Sequence, residues 1–298
     1  MMRWIVLGSG IYLLYAGLVF SLQRRILFPG AFLPAEAIHV PPATPGVQTS
    51  RVATDFGSVD IWYLPPTRRG GRVPAFIHAH GNAELLGGVA HEMSRFTREG
   101  FAVLMVEYPG YGLSDGSPSR KSIAEAMIAA YDWLATRPDV EPSAIVGMGR
   151  SLGTGAIADL SRERPLAAMI LQSPYTRAAD FAKGYLLPSF LVRDRFDNLA
   201  VVRNFDGPVL VLHGTRDEVV PYGQGASVAE AAGRASIITW DCGHNDCPPD
   251  WGRFVEQVTD FMVSAELAPA RLFRAPPIDP PAADALGPAP PGSGPDPS

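Results

Sequence analysis

The sequence predicts one α/β domain on a doubly wound parallel sheet behind an apolar N-terminal helix, and three observations carry that prediction. Short aliphatic runs alternate with longer stretches of helical period from residue 75 to residue 264, the rhythm of a parallel sheet with helices wound onto its faces. A chain of 298 residues, 47% of them hydrophobic, can bury one large core, and its composition gives no reason to divide it into two globular domains. Ahead of the domain, Trp4 to Leu22 carries no charge and only Ser9 and Ser21 as clearly polar side chains. At about 1.5 Å per residue that stretch spans the ~30 Å hydrocarbon layer of a membrane as one helix.

The segments follow in order. Residues 1–23 are expected to be a transmembrane anchor and not a cleaved leader, because no small-x-small cleavage site closely follows the apolar run; Ala35-Glu-Ala37 lies far downstream, beyond Arg24-Arg25. A Pro-rich connector around Pro41 to Pro45 leads to the domain. Gln48 to Asp55 and Val59 to Leu64 read as an antiparallel pair turning at Gly57-Ser58. Strands Ala75 to Ala79 and Phe101 to Glu107 flank a helix from Gly88 to Arg98. A second helix begins near Ser122, whose spacing to Glu125 fits a capping box, and stops at Pro138. Strands Ala144 to Gly147, Ala168 to Gln172, Pro208 to Leu212 and Ala235 to Trp240 then alternate with helices Ser151 to Arg164, Gly223 to Ala232 and Trp251 to Ser264. Beyond residue 267 the chain turns to Pro, Ala, Gly and Asp with little to bury, so 268–298 are expected to be a disordered tail. Neither the first 22 residues nor the tail is expected to supply core or site residues.

The chemistry concentrates at Ile145-Val-Gly-Met-Gly-Arg-Ser-Leu-Gly153, where an apolar strand runs into Gly149-x-Ser151-x-Gly153 and a helix follows. That is the spacing of a nucleophile elbow, a sharp strand-to-helix turn that presents a serine hydroxyl. Such a serine needs a histidine base and a carboxylate to orient it, following in the order serine, acid, histidine. Of the six histidines only His213 and His244 come after Ser151. His213 lies inside the run Pro208 to Gly214, which reads as a buried strand, so His244 is left as the base. The acid is Asp217, where that strand breaks into a loop. Glu218, Asp241 and Asp246 are its rivals, the last two too near His244 in sequence to hold Nδ1 while leaving Nε2 free. The backbone N–H groups of Leu152 and of Asn82, in the loop after Ala75 to Ala79, are the expected oxyanion hole. Between residues 173 and 207 an insertion carries Tyr175, Phe181, Tyr185, Leu186, Leu187, Phe190 and Leu191. It reads as a small apolar lid, with Tyr175, Phe181, Tyr185 and Leu187 as substrate contacts.

These blocks, His80-Gly-Asn-Ala83, Glu107-Tyr-Pro-Gly-Tyr-Gly-Leu-Ser-Asp-Gly116, Gly149-Arg-Ser-Leu-Gly153, Ser173-Pro-Tyr175, His213-Gly-Thr-Arg-Asp217 and Cys242-Gly-His244, resemble the α/β-hydrolase superfamily. More narrowly they resemble its membrane-anchored serine hydrolases related to depalmitoylases and monoacylglycerol lipases, over about residues 24 to 264. The resemblance implies an eight-stranded, mostly parallel sheet with helices on both faces, no cofactor, and hydrolysis of acyl esters or thioesters through an acyl-enzyme. A peptidase or amidase of the same fold, and a non-catalytic membrane-tethered binding module, are the alternatives.

Other chemistries find less support. The formal net charge of −5 and the lack of a basic stripe argue against a nucleic-acid partner. Gly147-x-Gly149 fails as a dinucleotide fingerprint because Leu152 holds the third glycine position. His78 and His80 share a strand face but lack a third ligand at metal spacing. Glu107 and Tyr108 are read as structural, and Arg150 as a surface arginine at a helix start. A monomer is expected. Arg24 and Arg25 directly after the helix point to a cytoplasmic domain with Cys242 and Cys247 reduced.

Overall fold

The computed structural model describes residues 2–33, 46–67 and 70–269. The Pro-rich connector, and the expected tail from residue 270 on, lie outside these. Eight strands form one sheet in the order β1-β2-β4-β3-β5-β6-β7-β8. They are β1 (Gln48–Thr54), β2 (Gly57–Leu64), β3 (Val73–Ala79), β4 (Ala102–Val106), β5 (Val140–Arg150), β6 (Ala168–Gln172), β7 (Val209–Gly214) and β8 (Ala235–Trp240). The β1/β2 and β2/β4 pairs are antiparallel and every other pair is parallel. Strands β3 to β7 are nearly unbroken apolar runs because both faces are covered.

Helices α1 (Met2–Leu27), α2 (Leu86–Met93), α3 (Arg95–Arg98), α4 (Arg120–Ala135), α5 (Leu152–Glu163), α6 (Asn198–Val202), α7 (Tyr222–Ala231) and α8 (Trp251–Ser264) complete the chain. Two apolar clusters lie on opposite sides of the sheet. One gathers Tyr63, Ile77, Leu104, Ile145, Leu171 and Val211 beneath α4 and α5. The other gathers Phe76, Met105, Val146, Ile170 and Leu212 beneath α2 and α8, with Phe96 set edge-on to Phe254.

Local chemistry moved several expected boundaries. The first hairpin turns at Asp55-Phe56, with Thr54 opposite Gly57, so Gly57 and Ser58 belong to β2. The Thr54 hydroxyl donates to the Gly57 carbonyl at 2.6 Å and accepts from Phe56 N–H at 3.1 Å, closing the turn two residues early. Helix α4 begins before Ser122: Ser119 is its cap, and Ser122 supplies the reciprocal bond expected of Glu125. Glu125 instead accepts from the Asp55 backbone N–H. The helix expected from Gly88 to Arg98 is broken into α2 and α3 at Ser94, whose hydroxyl bonds back to the His91 carbonyl.

Candidate active site

Parallel strands deliver their loops to one edge of the sheet, and four functional loops leave the carboxyl ends of β3, β5, β7 and β8. Ser151 follows the central β5. Its backbone stands at φ 50°, ψ −114°, a strained conformation for a residue with a side chain. The turn can close only because its neighbours lack side chains. A Cβ on Gly149 would strike the Gly153 backbone, and one on Gly153 would overlap the Ala79 carbonyl at the end of β3. The motif glycines are thus demanded by contact between two strands and a helix, and the outcome is an outward-facing Ser151 hydroxyl.

That hydroxyl lies 3.0 Å from His244 Nε2, and His244 Nδ1 lies 2.7 Å from Asp217 Oδ2. Asp217 Oδ1 accepts from the N–H groups of Val219 and Val220 at 3.0 and 2.7 Å. Burial alone would raise the Asp217 pKa, but hydrogen bonds from His213, His244 and the Val220 N–H outweigh it and hold the carboxyl well below its ordinary range. None of the rival acids is bonded to His244. Asp241 is exposed and pairs with Arg216, Asp246 accepts from the Gly243 N–H, and Glu218 is exposed. His213 is wholly buried, with Nε2 on the Val220 carbonyl at 2.8 Å.

Asn82 and Leu152 line the same cavity as Ser151. The Asn82 carbonyl accepts from Gly30 N–H and the Tyr111 hydroxyl, which fixes the peptide on one side of the loop. His80 and Glu107 stiffen this loop. His80 Nε2 meets Glu107 Oε1 at 2.8 Å, the other Glu107 oxygen accepts from Leu86 N–H, and the Tyr108 hydroxyl donates to the His80 carbonyl. His78 and His80 do not form a pair: His78 is buried in β3, and His80 is bonded to Glu107 and to the Gly81 carbonyl. Burial first, then the charges of His80 and Arg150, press the His78 pKa down to about 3, so His78 is a neutral packing residue at physiological pH. Among the described residues no group of three or more His, Cys, Asp or Glu side chains is placed to hold a metal.

Arg150 is not the surface residue its position suggested. Its side chain is only 15% exposed, forms an ion pair with Glu84, and donates to the His244 carbonyl at 2.8 Å. It therefore ties the nucleophile turn to the base loop across a separation of 94 residues. Cys242 and Cys247, expected as reduced thiols, are joined in a disulfide with Cα atoms 5.5 Å apart, a span two cysteines can bridge. The bridge corrects the expectation of free thiols.

A cavity of about 250 Å³ opens from Ser151. Its walls include Tyr175, Phe181, Tyr185 and Leu187, the four expected contacts, whereas Leu186 and Phe190 are 75% and 68% exposed. Val19, Gln23, Ile26 and Leu27 also line it. Val19 thus lines the cavity from within the first 22 residues, where no such residue was expected.

No family model matches the chain. An uncharacterised protein of Mycobacterium tuberculosis is 32% identical over 234 residues, 76% of this chain and 82% of that protein. The α/β-hydrolase domain-containing protein 17B of Homo sapiens is 33% identical over 198 residues, 64% of this chain and 66% of the human one. Among solved structures, the propionate-bound Est2 esterase of Thermogutta terrifontis superposes with TM-score 0.62 at 19% identity, covering 78% of this chain and 98% of the esterase. At that identity the match speaks for fold alone, and its fold is the one built here from the strand order and the elbow. The chain belongs to the α/β-hydrolase superfamily, as a relative of the α/β-hydrolase domain-containing 17 proteins.

Proposed function

We propose that this protein is a membrane-anchored serine hydrolase that cleaves carboxylic esters or thioesters of acyl chains through an acyl-enzyme. The observation that carries the reading is the unbroken relay from Ser151 Oγ through His244 to Asp217, at 3.0 and 2.7 Å, at the base of an apolar cavity. Ser151 Oγ attacks the acyl carbonyl carbon while His244 Nε2 takes the hydroxyl proton. The carbonyl pair becomes an oxyanion facing the N–H groups of Leu152 and Asn82. Collapse breaks the bond to the leaving oxygen or sulfur, which takes the proton from His244. His244 then takes a proton from water as the water oxygen attacks the acyl-serine carbonyl, and on collapse returns that proton to Ser151 Oγ, releasing the carboxylic acid and the free serine. Asp217 stays ionised throughout and holds the proton of neutral His244 on Nδ1, leaving Nε2 as the acceptor. Tyr175, Phe181, Tyr185 and Leu187 hold the acyl chain.

The one described helix long and apolar enough to cross a membrane is α1, and the reading makes it an uncleaved anchor. The Cys242–Cys247 bridge favours a domain on the oxidising side, against the expectation from Arg24-Arg25; Arg24 is in any case engaged by Asp194 at 2.8 Å. Mass measurement without reducing agent, on protein alkylated in intact cells, decides the side: free, alkylated thiols would return the domain to the cytoplasm.

A fluorophosphonate tests the chemistry. It should label Ser151 and nothing else, and Ser151→Ala should abolish both labelling and ester turnover; a silent wild type would leave the binding-module reading. Parallel ester, thioester and amide substrates of one chain length separate the acyl hydrolase from the amidase.

A further inference from the structure

Helix α1 does more than a tether requires. Tyr12, Tyr15, Val19, Gln23, Ile26 and Leu27 recur at intervals of three and four, so they lie along one face of the helix. That face meets the lid. The Tyr12 hydroxyl donates to the Leu186 carbonyl at 3.0 Å and the Tyr15 hydroxyl to the Tyr185 carbonyl at 2.8 Å. Gln23 donates to the Leu191 carbonyl at 3.2 Å and accepts from Arg193 N–H at 2.8 Å, and Arg24 grips Asp194 with two bonds. Among and just beyond these ties, Val19, Gln23, Ile26 and Leu27 face the cavity that holds Ser151. The next residues continue inward: Phe28 is fully buried, and Gly30 N–H holds the Asn82 carbonyl of the expected oxyanion loop at 3.0 Å.

The ties also fix the depth of the lid. From Arg24 to Tyr12 the helix climbs roughly 18 Å, at about 1.5 Å per residue. With the membrane boundary at Arg24-Arg25, as the proposed anchor has it, a lid bonded at Tyr12 reaches into the layer that α1 crosses. Its surface is mixed there, with Leu186 and Phe190 75% and 68% exposed beside an exposed Lys183. Its backbone suits that position. Lid carbonyls, which water would satisfy on an ordinary surface, are satisfied here by Tyr12, Tyr15 and Gln23, as apolar surroundings demand.

Resting on the serine-hydrolase reading, we infer that α1 is a wall of the acyl pocket and that the acyl chain of a bilayer-resident ester or thioester passes from the membrane between α1 and the lid to Ser151. The occupant is a lipid chain because the helix that forms this wall is also the one long and apolar enough to cross a membrane, and on its side turned from the lid Leu13, Leu14 and Leu18 are 68%, 78% and 58% exposed.

The test uses the full-length protein in phosphatidylcholine vesicles and a long-chain alkyl fluorophosphonate bearing a terminal diazirine. After reaction and irradiation, digestion and mass spectrometry should find the phosphonate on Ser151 and crosslinks in the α1 segment 19–27 as well as in the lid. A Ser151 adduct with crosslinks only in the lid or at Val219 and Val220 overturns the α1 wall while leaving the hydrolase. Absence of the adduct overturns the hydrolase reading itself, and the wall with it. A second measurement compares p-nitrophenyl decanoate with p-nitrophenyl acetate. Val19→Trp should lower the decanoate-to-acetate ratio of kcat/KM at least tenfold, whereas Leu14→Trp, on the face turned from the lid, keeps the wild-type ratio. An unchanged ratio in Val19→Trp counts against the wall.

Discussion

The Ser151 turn and the α1–lid wall meet at one cavity but are held by different physics. The turn is fixed by backbone: strand β5 pairs on both sides, and the Gly149 and Gly153 contacts leave no room for adjustment. The wall is fixed by a few side chains reaching carbonyls from a helix that is otherwise largely exposed, over a lid made of short 3-10 turns. Dense packing admits few alternatives, whereas a lid with few buried contacts opens locally at low cost. On the proposed function, bond-making geometry would reside in the stiff region and chain selection in the soft one.

Substitutions sharpen that contrast in order of size. Ser151→Ala should cost on the order of a million-fold in kcat, measured on a soluble short-chain ester, because nothing else near His244 can attack. Asp217→Asn should cost about 10⁴-fold through the wrong His244 tautomer; full activity in that variant would return the acid role to Asp241 or Asp246. The same pair also carries a pH signature. Because the folded Asp217 pKa is depressed, its stabilisation is present above the unfolded carboxylate value of about 3.9 and fades as pH falls below that toward the folded value. The wild-type minus Asp217→Asn difference in Tm should hold from pH 8 to about 4 and shrink below it.

Arg150→Gln should lower kcat about tenfold, or ~1.4 kcal/mol, with little change in KM, and Arg150→Lys should recover part of it. A KM effect alone would mean that Arg150 meets substrate and does not position His244. The smallest effect belongs to the lid rim: Phe190→Ser should change acetate turnover by less than about twofold, as expected of an exposed side chain away from the core. A large loss there would erase the distinction between the stiff and soft regions.

The stiff region was legible in sequence for the reason it is stiff. Gly149 and Gly153 are each required by a backbone contact on either side of Ser151, and Ser151, Asp217 and His244 sit at the carboxyl ends of successive strands β5, β7 and β8. Arg150 was misread because its work is done on a carbonyl 94 residues away, and no local pattern marks that partner. The wall left a fainter signal. Tyr12, Tyr15 and Gln23 share a face, but counting polarity along Trp4 to Leu22 averages that face away. The Ser119 cap was missed because Ser122 can play either half of a capping pair, and the cysteine spacing fits a bridge and free thiols equally well.

The Cys242–Cys247 bridge encloses the base in a loop of sequence separation 5, and so short a ring restrains the unfolded chain by only about 2 kcal/mol on the chain-entropy account. Three other ties hold the same loop: Arg150 on the His244 carbonyl, Gln172 on the Cys247 carbonyl and Asp246 on the Gly243 N–H. On the proposed function, reduction should therefore loosen this loop without releasing His244, and fluorophosphonate labelling of Ser151 should persist as reductant is titrated in.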